Sequence, residues 1–208
     1  MQIREIQLEN LSKRFKRHWL FQDLSQRLQL GERWAVLGSN GSGKSTLLKC
    51  LCGSMSGTSG NVIWRTDTQP IPVEEWHQYF AYSSPYLELI DEFTLDELLT
   101  FHFNLKTLRS DVDLNAWLVQ SGLDKHRNKI ISRFSSGMMQ RLKLILCLAS
   151  KVDVYFLDEP CSNLDLKGVE WYQEIISTLP EQSLVIIASN SPEEYQICKH
   201  KIHLNTNE

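Results

Sequence analysis

A glycine-rich loop set between an apolar run and an amphipathic run restricts this chain more than any other feature. Arg33-Trp34-Ala35-Val36-Leu37 reads as a buried strand, and Thr46-Leu47-Leu48-Lys49-Cys50-Leu51 as a helix. Between them lies Gly38-Ser39-Asn40-Gly41-Ser42-Gly43-Lys44-Ser45, which matches G-x-x-x-x-G-K-[ST]. Glycines at 38, 41 and 43 let the backbone curl until its N–H groups converge on one anion. The helix adds the positive end of its dipole at the same point. Lys44 is placed to reach the β- and γ-phosphates of a nucleotide, and Ser45 to offer a hydroxyl to Mg²⁺. The candidate phosphate site is therefore the whole run from Gly38 to Thr46.

The 208 residues suffice to bury a substantial core. A net charge of −3 argues against a nucleic-acid partner, which would call for a strongly basic face. The one basic run, Lys13, Arg14, Lys16, Arg17 and His18, reads either as a solvated loop or as a minor contributor near the phosphates. Five cysteines form no C-x₂-C pair, so zinc is not expected and reduced, mostly buried thiols are. The opening Met1-Gln2-Ile3-Arg4-Glu5 is polar and unlike a signal peptide. The most apolar runs, at 142–149 and 184–188, fall far short of the ~20 residues that span a bilayer.

Elsewhere the patterning alternates between strand and helix. Residues 3–11 alternate apolar and polar, and a second strand pattern covers 20–30. Residues 57–60 are turn chemistry, and Asn61-Val62-Ile63-Trp64 is a further strand. From about 88 to 150 the character is helical: Thr94 with Glu97 forms a capping box, and 115–121 and 136–150 carry helical spacing. Residues 152–157 and 184–188 are continuous apolar runs, as parallel strands buried on both faces require, with a helix at 171–179 between them. The expected fold is α/β: a mainly parallel sheet with flanking helices, a small antiparallel part and an inserted helical subdomain. The expected organisation is one domain over 1–208, with its core at 1–87 and 151–208 and the insert at about 88–150.

The apolar run Val154-Tyr155-Phe156-Leu157 ends in Asp158-Glu159. Beside a phosphate loop, such a pair reads as the Mg²⁺-side element. Asp158 would hold the metal, and Glu159 would orient and deprotonate an attacking water.

At this point the chain resembles an ATP-binding cassette (ABC) ATPase over almost its whole length. Phe134-Ser135-Ser136-Gly137-Met138-Met139-Gln140-Arg141 is similar to that family's L-S-G-G-Q signature. Ser162-Asn163-Leu164-Asp165 looks like its S-A-L-D loop, and Thr94-Leu95-Asp96-Glu97 its L-T-v-x-E element. The resemblance implies that Phe15 stacks on adenine. It also implies that Ser135, Ser136 and Gly137 bind the γ-phosphate held by a second copy. The chemistry is suitable, because a serine hydroxyl and free N–H groups at a helix start form an anion site. The plainer alternative for Ser135 is an ordinary N-cap.

Three departures stand out. Pro85 occupies the region where the family has a glutamine that contacts Mg²⁺ and the attacking water, and proline offers neither a side-chain ligand nor an N–H. Asn190 stands for the family's histidine, so it can donate to a γ-phosphate oxygen but carries no charge. The signature has Phe134, Ser136 and Met138 in place of Leu, Gly and Gln. Lys44, Ser45, Asp158 and Glu159 are untouched, so the expectation is binding of ATP with Mg²⁺ and slow hydrolysis.

The resemblance further implies an energising subunit of a membrane transporter. Two ATPase subunits, identical or not, would pair around ATP and act on a separate transmembrane permease from the cytoplasmic, inner face of the membrane. Residues 86–93, which mix apolar and acidic side chains, are either the groove for that permease or an ordinary helix start. Two alternatives remain: a mainly ATP-binding regulatory subunit with weak hydrolysis, and a soluble ABC ATPase outside transport. Long coiled coils, a tandem cassette and a basic surface, which mark the non-transport kinds, are not seen in the sequence.

Overall fold

The structure, a computed structural model, describes residues 3–204. In chain order its elements are β1 (Glu5–Phe15), β2 (His18–Gln29), β3 (Arg33–Leu37), α1 (Lys44–Leu51), β4 (Ser59–Arg65), β5 (Pro70–Ile71), β6 (Phe80–Ser83) and α2 (Leu95–Leu105). They continue as α3 (Leu114–Ser121), α4 (Ser136–Leu148), β7 (Val154–Asp158), α5 (Leu166–Ser177), β8 (Leu184–Ala188) and β9 (His200–His203). They fall into two compact units. The first runs through Tyr82, takes in Val152–Asp158 and resumes at Pro180; the second comprises Ser83–Lys151 and Glu159–Leu179.

In the first unit, β1 pairs antiparallel with β2 and with β4, and the four-stranded order is β2-β1-β4-β5. Ile6 and Leu8 are buried on β1, as the alternation requires. The register then slips, and Leu11 and Ser12 become the buried residues. Asn10, in the left-handed region at φ 48°, is the extra residue that shifts the pleat.

The second sheet has the order β6-β7-β8-β3-β9. β3 lies between β8 and β9, parallel to both, and β7 is parallel to β8. Every residue of β7 and β8 is buried, which explains their unbroken apolar runs. Trp64 on β4 anchors the core. It is fully buried, stacks on Trp76 at 5.0 Å, and its indole N–H donates to Leu51 O at 2.9 Å. Emptying a buried aromatic site of this kind costs about 3–5 kcal/mol.

In the second unit, α2 starts at the expected capping box, with both reciprocal Thr94–Glu97 hydrogen bonds formed. Asp113 caps α3, and Ser135 caps α4. Arg109, with its side chain 2% exposed, donates to Leu148 O at the end of α4, to Thr178 O at the end of α5, and to Asp111. One cation thus satisfies the carbonyls that two helix C-termini leave unpaired.

Some elements differ from expectation. The helix expected from 171 begins at Leu166, because Asp165 caps it by accepting from Gly168 N at 3.0 Å. Lys167 and Gly168 conceal that first turn from a periodicity argument. The short strand β9 carries only Ile202 as a buried residue and shows no local pattern.

Candidate functional site

The loop from Gly38 to Gly43 links β3 to α1, and its geometry explains its glycines. A Cβ on Gly38 would lie 2.4 Å from Ser42 Oγ and 2.6 Å from Leu204 O. Gly43, at φ 98°, precedes α1 in a left-handed conformation, and a Cβ there would meet Leu20 at 2.9 Å. No side chain caps α1, so its first N–H groups are left to a ligand.

Lys44 lies inside the curl of the loop, 5% exposed, with Nζ donating to Gly38 O at 2.8 Å and Ser39 O at 3.2 Å. Among the described residues it has no carboxylate partner. A buried ammonium held only by carbonyls calls for an anion. Ser42 Oγ is buried with no hydrogen-bond partner, a second unmet polar group in the same loop. Ser45 Oγ donates to Asp158 Oδ1 at 2.9 Å, so α1 and the end of β7 present a hydroxyl and a carboxylate side by side. Hard oxygen donors of this kind suit Mg²⁺. Among the described residues no cluster of three His, Cys, Asp or Glu could hold a metal, so most ligands would have to be water and substrate oxygens. The residues present therefore fit a magnesium-bound polyphosphate.

Asn190, after β8, donates from Nδ2 to Asn40 Oδ1 at 2.9 Å, which joins it to the phosphate loop. Ser39, Asn40 and Gly41 are exposed on the loop's crest, and Thr46 is half-buried in the first turn of α1. Phe15, at the end of β1, is 49% exposed, with Lys13 Nζ 5.3 Å from its ring centroid. Tyr82 was not anticipated: its hydroxyl makes a long 3.5 Å contact with Asp158 Oδ2. No local pattern marks it, because the pairing joins β6 to β7.

In the second unit, Glu159 immediately follows β7 with φ 45°, a left-handed backbone rare for a side chain of this kind. Ser162 Oγ donates to its Oε2 at 3.3 Å. Ser135 caps α4 by accepting from Met138 N at 3.3 Å, so the expected N-cap geometry forms. Ser135 and Ser136 are exposed and Gly137 is half-buried. A Cβ on Gly137 would lie 3.0 Å from Asn163 O, so the signature turn packs closely on the Ser162-Asn163-Leu164-Asp165 loop. Arg141 Nη2 reinforces that contact by donating to Asp165 Oδ1 at 2.5 Å. Pro85 supplies its carbonyl to Lys143 Nζ at 2.6 Å.

Cys50, Cys52 and Cys147 are buried, and none of the five cysteines forms a disulfide. Burial pushes the Cys147 thiol far up and that of Cys198 to about 12, so both stay protonated and inert.

Known proteins resemble this chain. A family model described as "ABC transporter" matches residues 21–162. The chain is 31% identical over 189 residues to an uncharacterized ABC transporter ATP-binding protein of Haemophilus influenzae, covering 91% of this chain and 77% of that protein. It is 27% identical to the uncharacterized ABC transporter ATP-binding protein YybJ of Bacillus subtilis, covering 96% of this chain and 92% of that one. Among solved structures, the dimeric structure of MJ0796, a bacterial ABC transporter cassette, matches with a TM-score of 0.78 at 20% identity. That match covers 98% of this chain and 95% of the other, and at such identity it speaks for the fold alone.

Proposed function

The chain belongs to the ABC transporter family, as one of its ATP-binding proteins, and from that premise we propose that it binds and slowly hydrolyses ATP as a paired subunit beneath a separate permease. The observation that carries the reading is Lys44, a buried cation lacking a counter-charge, beside the Ser45–Asp158 pair. The N–H groups at the start of α1, with Lys44, hold the β- and γ-phosphates; Phe15 packs on the base. Ser45 and Asp158 would hold Mg²⁺, which neutralises phosphate charge when bound.

Glu159 accepts the proton of the water whose oxygen bonds to the γ-phosphorus. The bond from that phosphorus to the β–γ bridging oxygen breaks, leaving ADP and phosphate. Asn190 donates an amide N–H to a γ-phosphate oxygen, a weaker substitute for a charged imidazole, and Pro85 gives no ligand. Both features support slow turnover. Ser135, Ser136 and Gly137 meet the γ-phosphate bound by a second copy or a related subunit, so ATP joins two chains and its loss releases them. This pairing transmits work to a transmembrane permease at the inner face of the membrane. No helix among the described residues is long and apolar enough to cross a membrane itself.

The test uses the full chain with Glu159→Gln to arrest hydrolysis, followed by light scattering with and without ATP and Mg²⁺. Pairing that needs the nucleotide and disappears in Lys44→Ala and in Ser135→Arg is the expected result. Pairing unaffected by either substitution would overturn the proposal. Affinity purification of the arrested form from membranes should recover an integral membrane protein; recovery of ribosomes or DNA would exclude the transport role.

A further inference from the structure

Helix α4 is buried almost all round, from Gln140 to Leu148, and two of its buried residues are polar. Gln140, 2% exposed, donates from Nε2 to Pro160 O at 2.7 Å. Lys143, 5% exposed, donates from Nζ to Pro85 O at 2.6 Å. Three residues apart, the two lie on neighbouring positions of one helix. Each grips the carbonyl of a proline in a different loop. Pro160 directly follows Glu159, whose positive φ is a strained conformation that persists only when its surroundings over-determine it.

A lysine in this position is expensive. Among the described residues Lys143 has no carboxylate partner, and burial pushes its ammonium below the usual lysine range. An apolar residue of similar volume would avoid that desolvation cost and leave the carbonyl of Pro85, a partly exposed residue, to water. The helix thus carries a costly cation that holds one loop while a residue one turn away holds the segment after Glu159.

We propose that Lys143 is a positioning residue for the reaction: by fixing the Pro85 loop to α4, it holds the Gln140–Pro160 bond and hence the carboxylate of Glu159 in working geometry. This rests on the reading of Glu159 as general base. The experiment compares the full-length protein with Lys143→Met, which keeps the bulk and removes the donor, by steady-state ATPase kinetics and by amide hydrogen exchange.

The expected result is a roughly tenfold or greater fall in kcat with KM for Mg-ATP within about twofold and no loss of thermal stability, because displacement of a reacting group costs rate rather than binding. Exchange should quicken together at 84–87 and at 159–163. Unchanged kcat in an active protein would overturn the proposal, as would faster exchange confined to 84–87. If the unaltered protein hydrolyses no ATP, or Glu159→Gln leaves turnover intact, the functional reading fails. The exchange comparison then still decides whether Lys143 holds the 159–163 segment.

Discussion

Ser45 Oγ and Asp158 Oδ1 meet at 2.9 Å although 113 positions separate them in the chain. Parallel packing around β3 brings the start of α1 to the C-terminal end of β7, so a hydroxyl and a carboxylate share one edge of the sheet. Ser45→Ala should therefore weaken Mg²⁺ affinity specifically. Titrating Mg²⁺ against a fixed ATP concentration should show at least a tenfold higher requirement, of the order seen when one supporting group is lost at a metal site. Metal-free nucleotide binding should change little.

Glu159 combines the carboxylate proposed as general base with a strained backbone. Replacing it with glycine relieves the left-handed conformation and removes the base. Glu159→Gly should raise stability by about 1 kcal/mol, or roughly 2–4 °C in Tm, while lowering turnover by ~10²-fold or more. Calorimetry and phosphate release, read together, check both. A lowered Tm would mean that the side chain matters more to folding than the backbone does.

Asn190 and Asn40 are both exposed, so their bond contributes little to folding. Asn190→Ala should leave the unfolding curve in place yet reduce kcat about 10²-fold, since the donor proposed for the transferring phosphate is lost. Equal kcat in the two proteins would remove Asn190 from the mechanism.

Arg109 braces the C-termini of α4 and α5, and its loss strands several buried carbonyls. Arg109→Met should cost about 3 kcal/mol, lowering Tm by roughly 10 °C.

The same guanidinium, through its hydrogen bonds, holds the Asp111 carboxyl below the usual carboxylate range. A carboxylate depressed in the folded chain contributes stability that is present above about pH 4 and lost as pH falls through its folded value. Asp111→Asn should flatten the acid side of the stability profile there, by less than ~1 kcal/mol, because Asp111 is more than half exposed and water screens it. Denaturant melts between pH 3 and 6 would reveal it.

Features written within a few consecutive residues were legible from the chain alone: the phosphate loop, the Thr94–Glu97 capping box, and β7 and β8 as wholly buried strands. Each depends on local backbone chemistry or on a short period of burial, which residue order encodes directly. Other features had no local signature. The fit of β3 between β8 and β9, the contact of Tyr82 with Asp158, the grip of Arg109 on two helix ends and that of Lys143 on Pro85 all join distant segments. Which carbonyl a buried cation reaches depends on how those segments pack, and composition and periodicity carry no record of it. Residue order alone determined that this chain handles a nucleotide's phosphates. Only the folded chain decided which distant segments the buried cations tie together, because that choice is made by burial and distance.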